Sequence, residues 1–116
     1  SKVKKVVIRF DHNSNELPPN AYAPLERFAT SLLKNPDIGV LINGYTDNTG
    51  ELSYNLSISE FRANMVKGYL VGKGVAPSRI SVKGLGPKDP IGSNTTEEGR
   101  SLNRRVEVLF VKNTPG

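Results

Sequence analysis

Two oppositely charged residues in the middle of the chain have the types and the spacing to bind a ligand that carries both charges. Asp47 lies in the turn-forming cluster TDNTG, residues 46–50, and Arg62 lies on the helix predicted to follow. Because the connecting loop can bring the carboxylate back over the first turns of that helix, both side chains can face one cleft. There the carboxylate would bind an ammonium group, and the guanidinium would bind a carboxylate through two parallel N–H donors. The pair therefore predicts a site for a zwitterion.

The helix predicted to carry Arg62 has a polar stripe beside its apolar one. At 100° per residue, Asn55, Ser59 and Arg62 fall within one narrow sector, because seven residues bring a helix almost back to its starting angle. No acidic residue lies three or four positions from Arg62, so its counter-charge must come from elsewhere in the fold or from a ligand. The predicted buried stripe consists of Leu56, Ala63, Val66 and Leu70.

Spacing alone leaves two other interpretations of the charged pair open. Asp47 could stabilise an Asx turn while Arg62 is solvated. The two side chains could also form an internal salt bridge. In either case the pair would have no role in binding a ligand.

Composition excludes several kinds of chemistry. The 116 residues include no cysteine and a single histidine, His12, which excludes Cys/His zinc sites, thiol nucleophiles and disulfides. The segment Gly84-Leu85-Gly86 begins like a dinucleotide-binding motif but lacks the third glycine, and no phosphate-loop motif is present. A net charge of +5 favours polyanions, but aromatic residues are only 7% and no nucleic-acid recognition motif is found. We therefore predict neither an enzyme nor a nucleic-acid-binding protein, and no cofactor or metal.

Hydrophobic periodicity predicts the elements that must position the pair. Four strands are predicted, over residues 4–10, 38–45, 80–85 and 104–111. The first helix has Pro24 in its first turn, the apolar stripe Leu25, Phe28, Ala29, Leu32 and Leu33, and its end at Asn35–Pro36. A second helix is predicted over residues 53–73, and a short third one through Leu102, capped by Asn94 or Thr95.

The order of these elements, β-α-β-α-β-β, predicts an α+β fold with a mixed four-stranded sheet and helices packed on one face. No linker or internal repeat divides residues 1–116, which are predicted to form a single domain. No apolar run approaches the length of a membrane helix. Since the chain starts at Ser1 without a methionine, we expect it to be a piece of a larger protein that holds any membrane anchor.

Several ordered motifs resemble those of a known family. Residues 44–50 (GYTDNTG) are similar to G-H-T-D-x-x-G, and residues 55–66 are similar to N-x-x-L-S-x-x-R-A-x-x-V. Gly84, Gly86 and Pro90 follow, and then residues 94–106 (NTTEEGRSLNRRV). This pattern, from about residue 6 to residue 108, resembles the OmpA C-terminal domain family, which includes peptidoglycan-associated lipoproteins and flagellar stator proteins.

The resemblance implies noncovalent binding of the peptidoglycan stem peptide. In the family, the aspartate of the T-D motif and the arginine of the R-A motif hold the ammonium and the carboxylate of meso-diaminopimelate. These positions are Asp47 and Arg62. Thr46, through its backbone, and Asn55, through its amide, match residues that line the pocket. For Asn55, helix capping is the alternative.

Further site residues are implied at the two ends of the matched region. Phe10 and Asp11 match the aromatic and acidic residues that border the pocket, although Phe10 could simply belong to the core. In the segment NRRVE, Asn103 is implied near the rim, and one arginine is implied to contact a ligand carboxylate. Between Arg104 and Arg105, we favour Arg105.

Two positions depart from the family pattern. Tyr45 replaces the usual histidine, which places a phenol where an imidazole is expected beside the pocket, so ligand orientation or affinity could differ. Ile58 replaces a leucine, a nearly isosteric change. Both charged residues of the pair are retained.

The resemblance also implies a cellular role. It predicts a periplasmic domain that tethers an outer-membrane or envelope protein to the cell wall of a Gram-negative bacterium, with the anchor in a segment outside this chain. The alternative is a structural or assembly domain that dimerises or docks a partner in a stator or secretion system, with Asp47 and Arg62 as an internal salt bridge. The oligomeric state is left open.

Overall fold

The computed structural model of the protein describes residues 5–12 and 14–112. The elements are β1 (Lys5–Arg9), α1 (Tyr22–Lys34), β2 (Ile38–Gly44), α2 (Leu52–Gly72), β3 (Ile80–Gly84), α3 (Glu97–Asn103) and β4 (Arg105–Lys112). The predicted order of strands and helices is confirmed, with boundaries shifted by a few residues at most. Lys4, predicted to begin the first strand, lies outside the described residues.

The four strands form one mixed sheet in the order β1-β4-β2-β3. β4 is antiparallel to both of its neighbours, and β2 is parallel to β3. Because β4 is antiparallel to β2, with Val106 opposite Gly44, the start of the last strand is next to the end of β2. This neighbourhood is confirmed by the hydrogen bond from Tyr45 N to the carbonyl oxygen of Arg105, at 2.8 Å.

The hydrophobic core lies between the sheet and the helices. Alternate strand residues face it, because side chains alternate between the faces of a sheet. The sheet contributes Ile8, Val40, Ile42, Val106 and Val108, α1 contributes Leu25, Phe28 and Leu32, and α2 contributes Ala63, Val66 and Leu70. The rings of Phe28 and Phe110 stack with their centroids 4.0 Å apart. Burial of each large apolar side chain contributes about 1.5–3 kcal/mol to stability. Within the described residues, no helix combines the length and apolar content needed to cross a bilayer.

Two residues of the predicted core stripes are not buried. Leu33 is 51% exposed because it lies one position past Leu32, which takes the core place in the last turn of α1. Leu56 is 38% exposed. Its side chain lies beside Gly86, in the loop after β3, and not beneath the sheet.

α2 packs unusually close to the ends of β2 and β3. A Cβ atom at Gly44 would lie 2.0 Å from the carbonyl oxygen of Ser59, and one at Gly84 would lie 2.8 Å from that of Leu56. Only glycine fits at such distances. The close approach places the polar stripe of α2 beside the turn that follows β2, which is where Asp47 lies.

The cap of the short helix α3 differs from the prediction. The side chain of Thr96 accepts a 3.0 Å hydrogen bond from Gly99 N, three residues later, as an N-cap residue does. Asn94 accepts from the side chain of Asn103, and Thr95 is hydrogen-bonded to Ser93. Thr96, and neither Asn94 nor Thr95, is therefore the cap.

Candidate functional site

A cavity of about 260 Å³ lies where the loop after β1, the turn after β2, the first turns of α2 and the start of β4 meet. The polar residues that line it are His12, Asn15, Thr46, Asp47, Thr49, Tyr54, Asn55, Arg62 and Arg104. The structure therefore brings both members of the predicted charged pair to one cavity. The alternative of a direct salt bridge between them is not observed, since among the described residues Asp47 is paired with another arginine.

The carboxylate of Asp47 is held at both oxygens. Oδ1 accepts a 2.9 Å hydrogen bond from Thr49 N, which is the Asx turn, and Oδ2 accepts one of 2.9 Å from Nη1 of Arg104. Burial alone would raise the pKa of Asp47, but the hydrogen bonds from Thr49 and Arg104 outweigh it and hold the pKa below its ordinary value. Asp47 is thus a fixed negative charge at the cavity wall.

Arg104 joins this buried carboxylate to an exposed one. Its Nη2 atom donates to Oε2 of Glu97 at 2.7 Å, in addition to the bond from Nη1 to Asp47. Burial would lower the pKa of Arg104, but its hydrogen bonds to Glu97 and Asp47 raise it above the ordinary value. The Nε atom is buried and has no hydrogen-bond partner within the part of the chain that is described.

Arg62 is bound mainly by backbone oxygens. Nε and Nη2 donate to the carbonyl oxygen of Ser14 at 3.2 and 2.9 Å, and Nη2 also donates to that of Asp11 at 3.4 Å. The guanidinium lies over the ring of Phe10, 5.0 Å from its centroid. Burial, and then the nearby positive charge of Arg104, lower the pKa of Arg62. The site therefore has a positive charge that a carboxylate ligand would stabilise.

Asn55 and Thr46 shape the turn that carries Asp47. Asn55 Nδ2 donates to the carbonyl oxygen of Thr49 at 3.0 Å, and Thr46 N donates to that of Gly86 at 2.8 Å. α2 begins at Leu52, and its N-cap, Glu51, makes no side-chain hydrogen bond. The alternative that Asn55 caps the helix is therefore wrong. Both residues line the cavity, as predicted for their positions.

Phe10 and Asp11 lie behind the cavity wall. Phe10 is 3% exposed and belongs to the hydrophobic core, beneath Arg62. Asp11 is exposed and contacts Arg62 through its backbone oxygen. Neither residue lines the cavity. Their observed effect on the site is to position Arg62.

Arg105 is also outside the cavity. Its guanidinium lies 3.8 Å from the centroid of the Tyr45 ring, and its Nε donates to Glu107 at 2.8 Å. Because side chains alternate along β4, Arg105 points to the face of the sheet opposite to that of Val106, which belongs to the core. Our preference for Arg105 as the arginine at the pocket is therefore corrected, and Arg104 takes this position. Tyr45 is buried in the same stack. Its burial, and to a smaller extent the negative charge of Glu107, raise the pKa of its phenol.

Sequence reasoning missed three residues of the site. His12, Asn15 and Tyr54 line the cavity, but no motif pointed to any of them. Asn103, implied near the rim, instead accepts hydrogen bonds from the backbone of Ile91 and Gly92 at 2.7 and 2.8 Å and fixes that loop. Over residues 5–12 and 14–112, no cluster of three or more acidic or histidine side chains could hold a metal ion.

The arrangement has the chemistry to recognise a ligand with an ammonium and a carboxylate close together. One buried carboxylate and two guanidinium groups converge on the same cavity. The carboxylate oxygens of Asp47 keep acceptor capacity beyond their two hydrogen bonds. The guanidinium of Arg62 has no acidic partner among the described residues.

A comparison with protein families decides the classification. The model of the OmpA family matches residues 9–104. The chain belongs to the OmpA family. This confirms the resemblance found in the motifs of residues 44–66 and 94–106.

Relatives of known name agree with the family assignment. The chain is 48% identical over 102 residues to the peptidoglycan-binding protein ArfA of Mycobacterium tuberculosis, a match that covers 88% of this chain and 31% of ArfA. The chain therefore spans about a third of that relative's length.

Solved structures confirm the α+β fold. The peptidoglycan-associated lipoprotein from Burkholderia pseudomallei superposes with a TM-score of 0.87 at 28% identity, covering 90% of this chain and 89% of that one. The cell wall anchor of the type VI secretion system from Pseudomonas aeruginosa gives 0.77 at 31% identity, covering 95% and 82%.

Proposed function

We propose that this domain binds peptidoglycan noncovalently, with the meso-diaminopimelate of the stem peptide as its anchor, and tethers an envelope protein to the cell wall. Asp47 binds the ammonium of the ligand and Arg62 binds the adjacent carboxylate. The observation that carries the proposal is that these two side chains line one cavity without being paired to each other. The relatives named for peptidoglycan binding and wall anchoring support it.

The proposed role of Arg104 is to hold Asp47 in position. Its bond to Oδ2 fixes the carboxylate before a ligand arrives, which reduces the cost of ordering the site on binding. Thr46 and Asn55 act in the same way through the turn. Phe10 and Asp11 support Arg62 from behind.

The affinity of a single site follows from these few contacts. Each charge-assisted hydrogen bond contributes about 1.5–3 kcal/mol, partly offset by desolvation. Because the wall presents many copies of the ligand, a parent protein with several such domains gains attachment through avidity. The net charge of +5 favours an acidic polymer. The role is binding without catalysis, in the periplasm, with the membrane anchor in a segment outside this chain.

The test is retention on purified sacculi. Asp47→Ala and Arg62→Ala should each reduce the affinity for sacculi by roughly ten- to a hundredfold, measured on protein that a thermal melt shows to be folded. Asp37→Ala and Arg27→Ala are matched controls, because both residues are exposed and neither lines the cavity. Retention of both site variants at the wild-type level would reject the proposal. Release of muropeptides from the sacculi would show catalysis instead.

The rival role, a purely structural or assembly domain, has a different expectation. That role requires a salt bridge between Asp47 and Arg62, whereas among the described residues Asp47 forms its salt bridge with Arg104. A monomer in light scattering that binds sacculi saturably would disfavour the rival. A stable dimer without wall binding would favour it.

A further inference from the structure

A second cavity, of about 400 Å³, adjoins the first. His12, Asp47, Thr49 and Arg104 line both cavities, whereas Glu97 and Arg100 line only the second. Arg104 therefore forms part of the boundary between them, with Asp47 on one side of its guanidinium and Glu97 on the other. A ligand in the first cavity can extend past Arg104 into the second.

The carboxylate of Glu97 accepts hydrogen bonds from both arginines that line the second cavity. Its Oε2 accepts the 2.7 Å hydrogen bond from Nη2 of Arg104, and its Oε1 accepts one of 3.3 Å from Nε of Arg100. One carboxylate thus bridges two guanidinium groups, which is the way these groups would bind a carboxylate from a ligand. The pKa of Glu97 lies below its ordinary value, chiefly because of the hydrogen bond from Arg104.

The two carboxylates bound to Arg104 differ in exposure. The side chain of Asp47 is 7% exposed, and that of Glu97 is 62% exposed. Breaking the Asp47 pair is costly because both of its groups are buried. In the Glu97 pair only the carboxylate is exposed, so water can solvate Glu97 when it leaves, provided that another carboxylate takes its place on the buried guanidinium of Arg104.

We propose that Glu97 is an internal substitute for a ligand carboxylate, and that a second carboxylate of the bound stem peptide displaces it from Arg104 and Arg100. This inference rests on the proposed function. Diaminopimelate has carboxylates at both ends of its carbon chain. With one end bound by Asp47 and Arg62, the other carboxylate is free when the stem is a tripeptide. Because Glu97 competes for Arg104 and Arg100, it influences how strongly the site prefers a stem peptide with a free carboxylate over one in which that carboxylate is blocked.

The test compares two tripeptides, L-Ala-γ-D-Glu-meso-diaminopimelate with its C-terminal carboxylate free or amidated, by titration calorimetry. Both retain the zwitterionic centre. In Glu97→Gln the ratio of amide to acid dissociation constants should rise by about two- to fivefold over the wild type, because the competing charge is removed. Glu98→Gln is the matched control, since it makes the same charge change at an exposed neighbour whose side chain makes no ion pair in the described residues.

Arg100→Gln provides a second measurement with the opposite sign, and serves alone if Glu97→Gln is unfolded in a thermal melt. It should reduce the same ratio below the wild-type value. Equal ratios in the wild type and in the folded variants would overturn the inference. If the amide still binds in a manner that requires Arg62, only this inference fails and the proposed function stands. If neither peptide binds the wild type, both are rejected.

Discussion

Nη1 of Arg104 donates a 2.9 Å hydrogen bond to Oδ2 of Asp47, and each of these side chains is only 7% exposed. The two residues lie 57 positions apart. They meet because β4 lies next to β2 in the sheet, so that the start of one strand is beside the turn after the other. The proposed ammonium-binding carboxylate is therefore fixed by the tertiary fold.

The buried pair predicts a large loss of stability on removal of its basic member. Arg104→Ala leaves the Asp47 carboxylate buried without its partner, and should lower the free energy of unfolding by about 3–5 kcal/mol. Urea denaturation measures this. The control is Arg100→Ala, since Arg100 is paired with Glu97 at the surface and should cost about 1 kcal/mol or less. Equal losses would show that the Asp47 pair behaves as a surface pair.

The lowered pKa of Asp47 predicts a pH-dependent contribution to stability. A carboxyl group with a lower pKa in the folded state stabilises the fold at pH values above its unfolded pKa, and this contribution is lost as the pH falls through the folded value. The stability difference between the wild type and Asp47→Asn should thus be full above about pH 5 and shrink below the ordinary value of 3.8. Glu97 is present in both proteins, so its titration largely cancels.

This difference is measured by urea denaturation between pH 7 and pH 2. Asp37→Asn provides the control, because Asp37 is exposed and its substitution should change stability by less than about 0.5 kcal/mol. A wild-type advantage over Asp47→Asn that persists unchanged at pH 2 would contradict an ionised, hydrogen-bonded Asp47.

The close packing of α2 on the sheet predicts opposite effects for two glycine substitutions. In Gly44→Ala the new methyl group would lie 2.0 Å from the carbonyl oxygen of Ser59, so α2 must shift and the domain should lose more than about 2 kcal/mol. Gly68 lies within α2 and has open space around it, so Gly68→Ala should gain about 0.5–1 kcal/mol. Thermal melts of both variants are the check. A tolerated Gly44→Ala would show that α2 does not pack this closely.

The role of Arg62 predicts discrimination between two stem peptides. A peptide with lysine in place of diaminopimelate keeps the ammonium for Asp47 but has no adjacent carboxylate for Arg62. It should bind roughly ten- to a hundredfold more weakly in calorimetry. Arg62→Ala should remove most of this difference. Equal affinity of the wild type for both peptides would exclude Arg62 as the carboxylate-binding group.

The position of Arg105 predicts a structural role. Arg105→Ala removes the stack on Tyr45 and the bond to Glu107, and should lower stability by about 2 kcal/mol or more. The affinity of the folded protein for the stem peptide should stay within about twofold, since Arg105 does not line the cavity. A loss of affinity at unchanged stability would instead support a contact between Arg105 and a carboxylate of the ligand, as predicted from the sequence.

The polar stripe of α2 was predictable because it depends on local geometry. Helical spacing alone placed Asn55, Ser59 and Arg62 on one face, and all three are buried. The strands were equally predictable from the sequence, because apolar runs bounded by turn residues are local signals. The family pattern then added the assignment of Asp47 and Arg62.

The partner of Asp47 was not predictable in the same way. Whether Arg104 or Arg105 faces the cavity depends on where β4 begins, and a shift of one residue exchanges the two faces of a strand. The loop from Gly84 to Asn94 has no periodicity, so the sequence carries no signal for the hydrogen bonds that hold Asn103, just before β4, against Ile91 and Gly92. The prediction that Leu56 is buried was wrong for a related reason. Periodicity cannot reveal that glycine residues bring α2 close to the sheet, with the side chain of Leu56 beside Gly86.

The strand order has a consequence for the way the chain acquires its shape. The strand made last, β4, lies between β1 and β2, and it is the hydrogen-bonded neighbour that joins them. A nascent polypeptide that has not yet emerged beyond residue 104 therefore has an edge of the sheet without its pairing strand. Such long-range pairing is slow, because loop closure precedes any gain from it. The native topology, and with it the cavity wall that includes Arg104, therefore forms only once the C-terminal segment is available.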